Sequence, residues 1–337
     1  MAKGLRCGPM KYVRLGRSGP KVSAVGLGFW EVGSRSWGGD PSLALDLVRE
    51  AHASGINLFD TAEVYGNGKS EEALGSAVRK LGLRDEVVVA TKVAGFRPSG
   101  YFIVKGAAAS ARRLGFAPTL LQLHWPPPAW IPLCAAVRGL EDALKAGLAE
   151  YIGVSNFPGD MLERANACLR RAELVSDQVE YSLAYRTPEL DVVPRARSLG
   201  ASIIAYSPLA KGALAGARPS AAAQRLDRRF SAASRDGDLQ RALRSVAARL
   251  GVTAAQVALA WLVDRGAVPI PGTRRPERVR ELAGAADVKL SEADRELLDR
   301  ASAKYVTLWG RRYGNLSALR YVPCGLQYAA IKLMGGA

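Results

Sequence analysis

Cysteine is scarce and scattered in this chain. Its four cysteines, Cys7, Cys134, Cys168 and Cys324, include no pair at the close spacing that a zinc site or a dithiol redox motif needs, and they read as buried or idle thiols. Histidine is scarcer still, with only His52 and His124, which excludes a multi-histidine metal centre, so no metal is expected. No apolar run approaches the roughly 20 residues that span a bilayer, and the opening MAKGLRCGPMKYVRLG lacks the apolar core of a secretion signal. The expectation is a cytoplasmic protein with no membrane partner.

Acidic residues are the other shortage: 31 Asp+Glu against 47 Lys+Arg leaves a net charge of +16. Such an excess raises nucleic acid, an acidic membrane surface or an anionic ligand as partners. The basic residues nevertheless fall as short dispersed pairs, such as Arg112/Arg113 and Arg274/Arg275, with no aromatic-interleaved stripe. Dispersed Arg on helix backs is ordinarily a solvated face, so no specific nucleic-acid function is expected.

What the chain does have is a regular alternation. With 48% apolar and 23% charged residues it is composed like a folded globular protein, and 337 residues suit one large α/β barrel, a single domain over 1–337. Alternating residues on both sides of 16–20 predict a β-hairpin over about 11–25. Short apolar runs then predict strands over 24–28, 57–59, 87–90, 120–123, 151–154, 174–178, 202–205 and 267–269. Helical spacing between them predicts helices over 43–54, 70–80, 105–114, 133–146, 160–171, 189–199 and 238–250. Strands alternating with helices make a parallel sheet, and eight such units close a (β/α)8 TIM barrel, here over about 26–303. Residues 211–237 form a long loop after strand seven and a candidate clasp, and 304–337 is an aromatic C-terminal extension that folds back over the barrel.

Four residues stand at the mouth such a barrel would have. Asp60 follows INLF, Lys92 follows VVVAT, His124 follows LLQL, and Tyr65 lies on the loop Asp60 opens. A free phenol titrates near about 10 and is a poor acid at neutral pH. A neighbouring ammonium favours the phenolate, and a carboxylate fixes the ammonium in place. His124 can orient a substrate oxygen by hydrogen bonding, so the set is suited to delivering a proton to a carbonyl oxygen. GLGFWE at 26–31 breaks the G-x-G-x-x-G pattern at its last position, which argues against a Rossmann domain.

The stretches GINLFDTAEVYG (55–66), ATK ending at Lys92, LQLHW (121–125), GVSNF (153–157), AYSPL (205–209) and IPGT (270–273) resemble the aldo-keto reductase family, over about 12–302. The resemblance implies a β/α barrel that reduces aldehydes and ketones with NADPH, with Asp60, Tyr65, Lys92 and His124 as the catalytic tetrad and Tyr65 as proton donor. It implies that Ser155, Asn156 and Gln178 hold the nicotinamide carboxamide and Tyr206 stacks on the ring. By the same resemblance Ser207, Pro208, Leu209, Lys211 and Gly212 line the pyrophosphate, and Gly272, Thr273, Arg274, Arg278 and Glu281 face the adenosine and 2′-phosphate. Guanidinium groups suit a phosphate, which favours NADPH. One departure stands out: the family usually places Asn after that Glu, and Leu282 follows Glu281 here, so an adenine contact is missing from the set.

Trp30, Phe96 and Trp125, just beyond strand ends, and Trp309 with Tyr313 in the tail, suggest an apolar aromatic pocket for a small-molecule carbonyl substrate. The expected assembly is a monomer or small homo-oligomer. The same fold and cofactor occur in auxiliary subunits of potassium channels, whose loop pattern the chain partly resembles. A cofactor-binding regulatory subunit is therefore the second reading.

Overall fold

Apolar runs too short for helices become the strands of one closed sheet. The structure, a computed structural model, describes residues 10–33, 39–217, 224, 227–308 and 321–333, the side chains of 330–333 excepted. Strands β1 (Tyr12–Arg14) and β2 (Lys21–Ser23) pair antiparallel, Val13 opposite Val22, as the expected hairpin. Eight parallel strands follow: β3 (Leu27–Gly28), β4 (Leu58–Asp60), β5 (Val88–Val93), β6 (Leu120–Leu123), β7 (Tyr151–Ser155), β8 (Leu174–Glu180), β9 (Ser202–Tyr206) and β10 (Ala267–Pro269). They neighbour one another in chain order. Gly26 N–H donates to Pro269 C=O at 2.9 Å, Gly28 N–H to Pro271 C=O at 3.0 Å, and Gly28 bridges Gly272. Those contacts join the first strand to the last, so the sheet has no free edge to pair with another chain.

The strands face apolar surroundings on both sides, which is why they read as continuous apolar runs rather than alternating ones. Inward, Leu58, Val88, Leu120, Ile204 and Val268 fill the barrel, and Leu15 and Val22 of the hairpin plug its lower end. Outward, Val93, Leu121, Leu123 and Val154 pack under helix Leu133–Lys145, which turns Ala136, Val137, Leu140 and Ala143 toward them. Each fully buried Leu or Val contributes roughly 1.5–3 kcal/mol. The polar residues are left to the upper ends of the strands.

Several elements differ from the sequence expectations. The 211–237 segment is a loop only in part, because Asp227 accepts the backbone N–H groups of Arg229 and Phe230 and caps a helix over Arg228–Arg235. Helix Ala254–Asp264, not expected, begins with a reciprocal capping box between Thr253 and Gln256. The tail carries a helix over Cys324–Leu333. The expectation of idle thiols is wrong for two of the cysteines: Cys134 and Cys168 form a disulfide with Cα atoms 4.9 Å apart. The cause lies on one face of helix Leu133–Lys145. Arg138 Nε donates to Cys168 C=O at 3.0 Å and Glu141 accepts the N–H groups of Arg170 and Arg171, so positions 134, 138 and 141 together hold the segment that carries Cys168.

Candidate active site

Strand register brings the four mouth residues together. Asp60 ends β4, Lys92 lies one residue before the end of β5 beside Gln122 of β6, and His124 leaves β6 with its N–H on Val93 C=O at 2.8 Å. Tyr65 reaches them from a tight turn in which Gly66 (φ 59°) and Gly68 (φ 90°) are left-handed. A Cβ on Gly66 would stand 2.3 Å from Gly33 C=O, so only glycine lets the turn close and hold the phenol in place.

Lys92 is the centre of the cluster. Its wholly buried Nζ donates to Asp60 Oδ2 at 2.6 Å, to Thr61 C=O at 2.8 Å and to Tyr65 Oη at 3.2 Å, using all three donors of an ammonium. Burial alone would discourage its charge, but Asp60 and Tyr65 outweigh that, and its pKa is raised. Burial raises the Tyr65 phenol above its ordinary value and Asp60 adds to the rise, while Lys92 pulls the other way. The phenol is therefore protonated at neutral pH and has its counter-cation already in contact. The His124 ring stands edge-on to Tyr65, centroids 5.6 Å apart. Burial, then the Lys92 charge, lower its pKa well below 6.5, so its imidazole is neutral. Its Nδ1 has no hydrogen-bond partner among the described residues.

A polar chain runs from this cluster to β9. Gln178 Nε2 donates to Asp60 Oδ1 at 2.7 Å, and Ser155 Oγ donates to Gln178 C=O at 2.8 Å. Asn156 Nδ2 donates to Ser155 Oγ and to His124 C=O, both at 3.0 Å, and Tyr206 Oη donates to Asn156 Oδ1 at 2.8 Å. Asn156 holds φ 61°, and Ser207, Ala210 and Lys211 hold φ 49°, 47° and 57°. Strain of this kind in non-glycine residues gathers at functional sites, and successive left-handed residues turn backbone N–H groups into an anion-binding concavity. Nothing in the residue types of Ser207, Ala210 or Lys211 announces that geometry.

The remaining expected positions fall on the segments that follow β9 and β10. Lys211 pairs with Asp227, and Gln224 Nε2 donates to Lys211 C=O at 2.8 Å. Arg229, from the capped helix beyond, pairs with Glu180 at the end of β8. Pro208 and Leu209 belong to the strained turn, which continues into Gly212 (φ 96°). Gly272, Thr273 and Arg274 follow β10, where Gly272 bridges Gly28, and the part-buried carboxyl of Glu31 is raised by desolvation, which the Arg274 charge opposes. Arg278 Nε and Nη2 donate to Glu281 at 3.1 and 3.2 Å, and Thr253 Oγ1 donates to the same carboxylate at 2.9 Å. Leu282 is buried against Ala24, Val25 and Leu259, so its side chain serves the core.

Of the aromatic residues expected to line a pocket, Phe96 packs on Trp125 at 6.0 Å over Ala62, Val64 and Ala94, with Tyr65 at the margin. Trp30 opens the helical turn Trp30–Gly33 past β3 and is half-buried. Trp309 and Tyr313 lie outside the described residues. Tyr328 of the aromatic tail meets Phe96 edge-on at 5.9 Å, and Gln327, which nothing in the sequence singled out, is buried with its Oε1 accepting from Trp125 Nε1 at 3.1 Å. Partners 202 residues apart leave no local signal.

Known proteins resemble this chain in sequence and fold. A family model described as the aldo/keto reductase family matches residues 24–303. An uncharacterized oxidoreductase of Mycobacterium tuberculosis is 40% identical over 309 residues, covering 88% of this chain and 94% of its own. The versiconal hemiacetal acetate reductase of Aspergillus parasiticus is 31% identical over 333 residues, covering 86% of this chain and 96% of its own. Among solved structures, an aldo-keto reductase from Klebsiella pneumoniae in complex with NADPH superposes with a TM-score of 0.72 at 30% identity, over 91% of this chain and 99% of that one.

Proposed function

Since the chain belongs to the aldo/keto reductase family, we propose that it is an NADPH-dependent reductase that converts an aldehyde or ketone to an alcohol, with Tyr65 as proton donor. The observation that carries this reading is Lys92 Nζ held between Asp60 Oδ2 and Tyr65 Oη at 2.6 and 3.2 Å. Bound NADPH supplies the hydride that goes to the carbonyl carbon. The chain's own residues handle the oxygen. Tyr65 Oη passes its proton to the developing alkoxide, and the phenolate left behind sits against the Lys92 ammonium, which Asp60 keeps charged and in place. Neutral His124 donates a hydrogen bond to the same oxygen and fixes its direction, so a bound carbonyl gives a buried ring a polar partner.

The residues present fit the cofactor. The strained turn at 207–212 suits a pyrophosphate, the side-chain amides of Asn156 and Gln178 in the polar chain beside Asp60 and His124 suit a carboxamide, and Tyr206 supplies an aromatic ring for stacking. The Klebsiella relative was crystallised with NADPH, and Arg278 with Arg274 supplies guanidinium for a 2′-phosphate, which favours NADPH over NADH. Phe96, Trp125 and Trp30 leave the mouth apolar, suited to an uncharged carbonyl compound.

Mixing the purified protein with NADPH and a panel of aldehydes and ketones tests the reading. Loss of nicotinamide absorbance that disappears in Tyr65→Phe is expected. Tight NADPH binding with no turnover of any carbonyl would overturn the enzymatic assignment in favour of a regulatory subunit.

A further inference from the structure

Tyr65 lies on a loop that is tied, on both sides of it, to the strand carrying Lys92. Before it, Glu63 N–H donates to Lys92 C=O at 3.1 Å, and Glu63 Oε1 accepts the Ala94 N–H at 2.6 Å while the carboxylate pairs with Arg97. After it, the first turn of helix Lys69–Lys80 places Ser70 and Glu71 in the interior, both wholly buried. Ser70 Oγ accepts from Thr61 Oγ1 at 2.8 Å and donates to Phe29 C=O at 2.9 Å. Glu71 Oε1 accepts from Thr91 Oγ1 at 2.6 Å, and its Oε2 accepts from Arg113 Nε at 2.5 Å.

The partners stand next to the residues that do the chemistry. Thr61 follows Asp60, and Thr91 precedes Lys92, so the two side chains leave opposite faces of β5. Arg113, from helix Gly100–Leu114, reaches Glu71 across the Tyr65 turn itself: a Cβ on Gly68 would stand 2.4 Å from its Cδ. Burial raises the Glu71 pKa, and the Arg113 charge, then the Thr91 and Ser110 hydroxyls, oppose the rise.

A buried ion pair adds little net stability over apolar side chains of the same volume, but its hydrogen bonds have fixed direction. Apolar contacts hold the rest of this helix, through Leu74 and Val78. The polar ties add registration between the turn and β5. We propose, resting on Tyr65 as the proton donor, that Glu71 braced by Thr91 and Arg113 is a positioning residue for the reaction, fixing the Tyr65 turn against β5 so that the phenol stays within hydrogen-bond reach of Lys92.

Thr91→Val removes one hydroxyl and keeps the branched shape of the side chain, and Thr91→Ser keeps the hydroxyl. With NADPH and a carbonyl that the wild type reduces, Thr91→Val should lower kcat by about tenfold or more, since displacing a reacting group by about 1 Å can cost on the order of 10² in rate. NADPH affinity should stay within roughly threefold. Thr91→Ser should keep most of the rate. Val78→Ala, which opens a cavity two turns further along the same helix, should lower the melting temperature at least as far and leave kcat unchanged, separating positioning from stability. A Thr91→Val enzyme with wild-type kcat, a Thr91→Ser enzyme no better than Thr91→Val, or a loss of rate in Val78→Ala equal to that in Thr91→Val would overturn the proposal. A wild type whose reduction survives Tyr65→Phe would overturn the proton-donor assignment, and this inference with it.

Discussion

Lys92→Met separates two effects that meet in one side chain. Methionine keeps nearly the length and volume of the lysine stem, so packing is largely preserved while three hydrogen bonds and a buried charge are removed. Asp60 is then left in the barrel with Gln178 as its remaining side-chain donor. Breaking a buried ion pair from one side costs about 3–5 kcal/mol of stability. The rate should suffer through a different route. Burial already makes the Tyr65 phenol a weaker acid than usual, and Lys92 is the group that opposes this. Without it kcat should fall by about 10²–10⁴, the range a positioned general acid supplies, or about 3–5 kcal/mol of barrier. NADPH affinity, measured by quenching of tryptophan fluorescence, should change by less than roughly threefold, because the lost interaction belongs to the transition state. The double variant Lys92→Met/Asp60→Asn removes the stranded carboxylate, so it should regain much of the stability and none of the rate. A Lys92→Met protein reducing aldehydes at near wild-type kcat would refute the reasoning, as would a double variant that recovers activity.

The same geometry makes three further outcomes testable. Because the Tyr65 pKa lies above its ordinary value, the acid form persists as pH rises through neutrality and is lost only in the alkaline range; His124, held well below 6.5, does not change charge there either. The kcat for reduction should be flat between about pH 6 and 8, and a break near 6.5 would show a histidine charge change in control. Arg278→Ala should weaken NADPH much more than NADH in direct titration, since only the former carries a phosphate for the guanidinium; equal losses would remove Arg278 from that contact. Cys134→Ser should lower unfolding free energy by about 3–4 kcal/mol for a cross-link of this span. Thiol titration of the denatured, unreduced protein should find two of the four cysteines reactive, and four would exclude the bridge.

Much of this was legible in the sequence because a parallel barrel concentrates its signals. Buried strands are short apolar runs, and the residue that ends each run is placed at the mouth by the fold itself, so Asp60, Lys92 and His124 could be read as neighbours before any distance was known. What escaped reading lacked local patterning. Helix Ala254–Asp264 is buried nearly all round and so has no polar face to reveal its period, although the T-A-A-Q at 253–256 is a capping signal. Helix Arg228–Arg235 is the opposite case, with few apolar residues and an N-cap at Asp227 that propensity alone does not distinguish from a turn. The disulfide depended on Arg138 and Glu141 gripping a segment about 30 positions away. The left-handed conformations of Ser207, Ala210 and Lys211 are imposed by surrounding structure on residues that do not favour them.

The most direct measurement is a crystal structure of the complex with NADP and a carbonyl inhibitor. The account predicts the inhibitor oxygen within hydrogen-bond reach of both Tyr65 Oη and a ring nitrogen of His124, above the nicotinamide, with Lys92 still bridging Asp60 and the phenol. An inhibitor oxygen bound by other groups, or a Tyr65 turned away from Lys92, would contradict it.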